Sequence, residues 1–158
     1  MAADTPEALI RLTVAFGLTF AIGYERELRG SPAGDRTFSL IGVGSALVGI
    51  LAAAGAPNAL AGVVTGIGFI GGGIVFRQAV HGGEVVRGVT TAATIFATAA
   101  IGAAAGEGWL LVALVGTGMV LLTLELRNLP LIKLLDARRA AHLFKEDETP
   151  PVITRPGN

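Results

Sequence analysis

The sequence predicts an all-α fold. It is a polytopic membrane bundle of five transmembrane helices, with the N-terminus outside and the C-terminus inside. Three observations predict it. Of 158 residues, 52% are hydrophobic and only 15% are charged. A soluble domain this small carries about a quarter charged residues, because its surface is large for its volume. The charges also avoid long stretches: none lies between Thr37 and Phe76, between Gly88 and Gly106, or between Gly108 and Leu124. Finally, the basic residues segregate to one side once those stretches are read as spans.

The apolar stretches read as spans at 8–24, 37–54, 59–76, 89–105 and 109–126. Each is about 26 Å of helix at 1.5 Å per residue, the short end of what a bilayer needs. Strands do not fit these runs, which lack period-2 alternation. In the first span Arg11 lies about one turn in, with Glu7 at i−4 as an ion-pair partner. Arg11 is expected to snorkel to the outer interface. The residues before this span are acidic, unlike a signal peptide. The first loop, 25–36, is charged. The second and third spans meet at Gly55-Ala56-Pro57-Asn58, a turn of helix breakers. The third loop, 77–88, is charged again, and Gly106-Glu107-Gly108 turns the fourth span into the fifth.

Orientation follows from the basic residues. Arg26, Arg29 and Arg36 lie in the first loop, Arg77 and Arg87 in the third. Arg127, Lys133, Arg138, Arg139, Lys145 and Arg155 follow the last span, and only Arg11 is left over. The loaded side is expected to be cytoplasmic. Residues 1–126 thus form the transmembrane domain. Residues 127–144, with Leu129, Ile132, Leu135 and Leu143 among basic residues, suit an amphipathic segment on the inner leaflet. Residues 145–158, with Glu146-Asp147-Glu148 and three prolines, suit a disordered tail.

Composition excludes several functions. With no cysteine there is no thiolate metal site or Cys nucleophile. Twelve Lys+Arg balance twelve Asp+Glu, so there is no global basic field for nucleic acid. His81 and His142 are not at metal-ligand spacing. No nucleophile elbow, P-loop or H-E-x-x-H is present, so no enzyme is expected.

Three features remain. Gly62, Gly66, Gly68, Gly71, Gly72 and Gly73 crowd the third span. Close helix packing accounts for them; alternatively, the Gly71-Gly72-Gly73 run opens the helix and bares backbone groups. Thr90, Thr94 and Thr98 share one face of the fourth span, where back-bonding to the i−4 carbonyl suffices. Thr90 and Thr91 also stand at a helix start whose free N–H groups suit an anion or a carboxylate. Glu25, at the end of the first span, is the best candidate for a metal ligand. A solvated, self-neutralising loop is one reading of this region. The other is a cytoplasmic vestibule of Glu25, Arg26, Arg36, Thr37, Arg77, Arg87, Thr90 and Thr91.

Three blocks in this order resemble the MgtC/SapB family of bacterial membrane proteins. They are Gly23-Tyr24-Glu25-Arg26-Glu27 with Ala33-Gly34-Asp35-Arg36-Thr37-Phe38-Ser39-Leu40 and Gly44-Ser45-Ala46-Leu47; Gly66-Ile67-Gly68-Phe69-Ile70-Gly71-Gly72-Gly73; and Val86-Arg87-Gly88-Val89-Thr90-Thr91-Ala92-Ala93-Thr94. The resemblance covers most of 10–125. It implies an inner-membrane protein of about five helices, linked to growth and virulence under magnesium limitation. With residues 127–158 after the last span, the chain resembles the short members, which lack a soluble C-terminal domain. Asp35 departs from an apolar family position, and Thr90 from the Asn of the virulence-associated branch, so the virulence role is not carried over. Family members are described as magnesium transporters or as regulators of another membrane complex, the proton-translocating ATP synthase.

Two functions follow. The first is a non-catalytic regulator or accessory of magnesium homeostasis, needing no cofactor and binding a partner or a second copy, as a homodimer, through small-residue helix faces. The second is a small transporter or channel for Mg2+ or another ion or solute. Mg2+ sheds water reluctantly and wants carboxylate or phosphate oxygens, yet the second to fourth spans contain no carboxylate. The regulator is therefore the leading expectation.

Overall fold

The computed structural model describes residues 4–80 and 83–125, apart from the side chains of 76–86. His81, His142 and the segments 127–144 and 145–158 lie outside the described residues. The chain divides into two units, Met1–Leu121 and Leu122–Asn158; the packing below is that of the first.

Among the described residues five helices stand where five were expected: α1 Thr5–Leu28, α2 Asp35–Ala53, α3 Ala59–Ile74, α4 Val89–Glu107 and α5 Leu110–Glu125. α1 begins early because Asp4 caps it, accepting the Glu7 N–H at 2.9 Å, with Pro6 in the first turn. It runs past the apolar stretch because Glu25, Arg26 and Glu27 are good helix formers. It stops at Gly30, whose φ of +64° lets the Ser31 N–H return to the Arg26 carbonyl at 3.0 Å. α4 ends in the same way, on Gly108 at φ +97°.

The third loop differs from expectation. It is an antiparallel hairpin of β1 Phe76–Val80 and β2 Gly83–Arg87, with Phe76 opposite Arg87 and Val80 opposite Gly83. Its charges suggest a loop, but Val80, Val85 and Val86 favour extended backbone.

α2 is the centre of the unit, packed between α4 and α1; α3 lies on α4 and, more lightly, on α2. Ile22, Phe38 and Ile95 are buried, and the rest of the buried faces consists largely of small and hydroxyl-bearing residues. They include Ala15 and Thr19 on α1; Gly42, Ser45, Ala46 and Gly49 on α2; and Thr94, Thr98, Gly102 and Gly106 on α4. Many large apolar side chains face outward, among them Leu40, Phe69, Leu111 and Met119. This inverts the arrangement of a water-soluble domain, where such residues fill the core. It suits a bundle whose surroundings are hydrocarbon and whose helices meet through small residues. α1, α2 and α4 are each long and apolar enough to cross a membrane; α3 and α5 are shorter apolar helices of 16 residues.

Candidate functional site

The α2–α4 seam fixes how the rest is placed. A Cβ added at Gly49, Gly102 or Gly106 would collide with a backbone carbonyl across the seam: that of Ala103, Gly42 or Ala46 respectively. The two backbones therefore touch, as small residues allow. Gly42 also receives the Thr19 side chain of α1, so three helices converge there. Four of the buried hydroxyls are satisfied within their own helices. Thr19, Thr94, Thr98 and Thr117 donate to the carbonyls of Ala15, Thr90, Thr94 and Ala113, each at 2.7–2.9 Å.

Polar groups collect at the two ends of this seam. At one end the α1–α2 turn meets the start of α4: the Ser31 and Thr91 hydroxyls lie 3.0 Å apart. Gly23 of α1 lies against α2 so closely that a Cβ there would come within 2.8 Å of Phe38. Glu25 is buried beside them. Its carboxylate pairs with Arg26 Nε at 3.2 Å and Arg29 Nε at 3.4 Å, and neither oxygen has a hydrogen bond. Two guanidinium groups already balance its charge, which opposes a dication at that position. Among the described residues no group of three or more His, Cys, Asp or Glu could hold a metal ion.

The expected vestibule is only partly assembled. Glu25 and Arg26 meet, and Thr91 is buried against Ser31. Thr37 is half-buried, while Thr90, Arg36 and Arg87 are exposed. Among the described residues neither Arg36 nor Arg87 forms an ion pair with Glu25. The Arg77 side chain lies outside the described residues. Ser31 and Arg29 were missed. Arg29 was legible as the i+4 partner of Glu25; Ser31 had no local signal.

At the other end Arg11 is buried rather than snorkelling. It pairs with Glu7, as the spacing suggested, and its Nη1 donates to the Gly106 carbonyl at 2.9 Å. The last turn of α4 leaves carbonyls unpaired, and Arg11 supplies both a donor and a positive charge there.

The α3 glycines behave differently from those of the seam. The helix continues through Gly71, Gly72 and Gly73 to Ile74, so the opening considered there does not occur. The neighbouring helix turns hold the ladder in spite of the glycines' low propensity. Gly71 faces Ala92 of α4, where a Cβ would find ordinary contact at 3.6 Å. At Gly62, Gly66, Gly68, Gly72 and Gly73 a Cβ would meet nothing within 4 Å. Gly62 and Gly66 border an open groove of about 420 Å³ with Gly44, Ser45 and Val48 of α2.

Comparison with known proteins fits this architecture. The MgtC family pattern matches residues 12–129, which include α2, α3, α4 and α5 and most of α1. YhiD of Escherichia coli K12, provisionally named a magnesium transporter, is 42% identical over 134 residues, covering 77% of this chain and 60% of YhiD. SrpB of Synechococcus elongatus is 41% identical over 130 residues, covering 73% of this chain and 71% of SrpB. MgtC of Brucella abortus is 37% identical over 130 residues, covering 79% of this chain and 52% of that protein. The chain thus spans between half and three-quarters of the length of these relatives. No solved structure matches it. An apolar exterior, a glycine-lined seam and this match lead to one conclusion: the chain is a membrane protein and belongs to the MgtC family.

Proposed function

We propose that the chain is a non-catalytic accessory of magnesium homeostasis that acts by docking on other membrane proteins or on a second copy of itself. The observation that carries this reading is the open glycine face of α3. Glycine in a helix is a cost of roughly 0.5–1 kcal/mol per residue against Ala. Bare backbone facing lipid gains nothing in return, whereas a docked helix gains close van der Waals contact. Gly62 and Gly66, one turn apart beside Gly44 of α2, form such a seat. The pairing of Glu25 with Arg26 and Arg29 supports the same reading, because it leaves the Glu25 carboxylate engaged rather than open to a dehydrated Mg2+.

The setting we propose is the bacterial plasma membrane. All five helices cross it, the short α3 and α5 by thinning the bilayer around them. The N-terminus is outside, and the end bearing Glu25, Ser31 and Thr91 is cytoplasmic. A homodimer is one docked state. A partner complex is the other, for which the family resemblance suggests the proton-translocating ATP synthase. The second reading is transport of Mg2+ or another ion, in keeping with the name given to YhiD.

One experiment separates the two. The chain has no cysteine, so a single Gly66→Cys reports who approaches α3. We expect crosslinks to a second copy or a membrane-protein partner in cells, and no saturable Mg2+ flux from the purified chain in liposomes. Saturable flux abolished by Glu25→Ala overturns the accessory reading.

A further inference from the structure

The geometry points to a zwitterionic phospholipid of the phosphatidylethanolamine class as the occupant of an open groove between α1 and α2. This rests on the chain being a membrane protein, and not on whether it regulates or transports. The groove has a volume of about 360 Å³ and is lined by Phe16, Phe20, Asp35, Arg36, Ser39 and Leu40.

Its lining is graded along the helices. α1 and α2 are packed neighbours joined by the short turn at 29–34. Asp35 and Arg36 open α2 at that turn, and Leu40 lies one helical turn further in. On α1 the order runs back from the turn through Phe20 to Phe16. Charge therefore lies at the mouth and hydrocarbon lies deeper, the order in which a phospholipid presents its head and chains. The apolar wall is ready for a chain. Phe16 and Phe20 stack at 5.8 Å between ring centroids, and Phe20 and Tyr24 at 6.1 Å. Leu40 is 74% exposed opposite them. Tyr24 continues the ladder to the level of the turn, where an amphipathic ring suits a headgroup layer.

The mouth selects the head. Arg36 is exposed, and among the described residues its guanidinium has no ion-pair partner. Asp35 accepts the Arg36 backbone N–H on Oδ1 at 2.6 Å, which fixes the carboxylate beside it. The Ser39 hydroxyl is engaged with the Asp35 carbonyl at 2.7 Å. The mouth thus offers one cation and one anion, side by side. A phosphate diester pairs with the guanidinium, and a primary ammonium donates to the carboxylate. Phosphatidylglycerol brings no cation for Asp35. Phosphatidylcholine brings a quaternary ammonium with no hydrogen to donate.

The test uses the full chain. Its presence in carbonate-washed membranes is checked first, since its absence there refutes the membrane reading itself. The chain is then extracted in mild detergent and offered equal amounts of phosphatidylethanolamine, phosphatidylglycerol and phosphatidylcholine of matched chains. Native mass spectrometry counts bound lipid. We expect preferential retention of phosphatidylethanolamine. Arg36→Ala lowers retention about fivefold, the scale of one arginine at a lipid surface, and Arg36→Lys recovers part of it. Asp35→Asn moves the preference toward phosphatidylglycerol. Thermal midpoints taken in parallel show that the exposed Arg36 variants remain folded. Equal retention of the three lipids overturns the proposal. So does retention unchanged by Arg36→Ala, or a second copy crosslinking through Leu40→Cys to the exclusion of lipid.

Discussion

Arg11 of α1 reaches the carbonyl of Gly106 on α4, 95 residues away in sequence, at 2.9 Å. The guanidinium is buried, and its other terminal nitrogen holds Glu7. One side chain thereby closes the last turn of α4 and ties it to the first turns of α1. Gly108 makes room for it: a Cβ there would stand 2.8 Å from Arg11 Nη2. Arg11→Ala removes the donor and leaves the Gly106 carbonyl unpaired. The expected loss is about 1.5–3 kcal/mol, the range for hydrogen bonds to charged groups. It is read as a lowered thermal midpoint in detergent. Arg11→Lys recovers little, because an ammonium lacks the fork that serves Gly106 and Glu7 together. Glu7→Gln costs at most about 1 kcal/mol, since Glu7 is half exposed.

The glycines of the seam and those of α3 make opposite predictions. Gly106→Ala drives a methyl into the Ala46 carbonyl, and Gly102→Ala into that of Gly42. Each is expected to cost about 1–3 kcal/mol as overpacking. Gly68→Ala meets nothing within 4 Å and gains up to about 1 kcal/mol from helix propensity. Unfolding curves of the three variants in one detergent decide the matter. A seam variant as stable as Gly68→Ala would remove the close-contact account.

The helices were legible because uncharged stretches of this length have few other homes. What was less legible is instructive. The apolar stretch ends at Tyr24 while α1 runs on to Leu28, because Glu25, Arg26 and Glu27 signal a loop by charge and a helix by propensity. The 76–87 hairpin was hidden for the same reason. The glycine seam is present in the sequence as Gly42, Gly49, Gly102 and Gly106, but α3 holds glycines at higher density and masks it. Small residues report that something approaches closely, and not which helix does. The Glu7–Arg11 pair and the threonine back-bonds were readable because both are local. Ser31–Thr91 and Arg11–Gly106 are tertiary, and nothing in one sequence encodes their distance.

If the α3 face serves docking, bulk there should spare the fold and spoil assembly. Gly73, three turns from Gly62 on the same face, has open space around it, so Gly73→Leu is expected to unfold within about 0.5 kcal/mol of the wild type, the usual range for open surface positions. Gly66→Leu, beside the α2–α3 groove, behaves alike in the isolated chain. In membranes both should reduce the Gly62→Cys crosslink more than Ala61→Leu does. Crosslinking left intact by Gly66→Leu would show that the groove seats no helix.

The pairing of Glu25 makes a prediction about magnesium itself. A ligand that binds the native state and not the unfolded chain raises the unfolding midpoint with the logarithm of its concentration once that exceeds its Kd. The Glu25 carboxylate already contacts two guanidinium groups at 3.2 and 3.4 Å. Mg2+ would have to displace them and also shed water. We therefore expect no rise in midpoint with Mg2+ beyond that given by an equal ionic strength of NaCl. Glu25→Ala should act in the opposite sense to the loss of a metal ligand. It removes the anion that Arg26 and Arg29 share; for the buried Glu25–Arg26 pair the loss is up to about 3–5 kcal/mol, while the more exposed Arg29 adds little. The loss should appear with and without Mg2+ alike. Arg26→Ala should lower stability in the same direction, and the double variant should fall short of the sum, because both changes break one pair. A midpoint that climbs with Mg2+ in the wild type and not in Glu25→Ala would instead place an ion at Glu25 and favour transport.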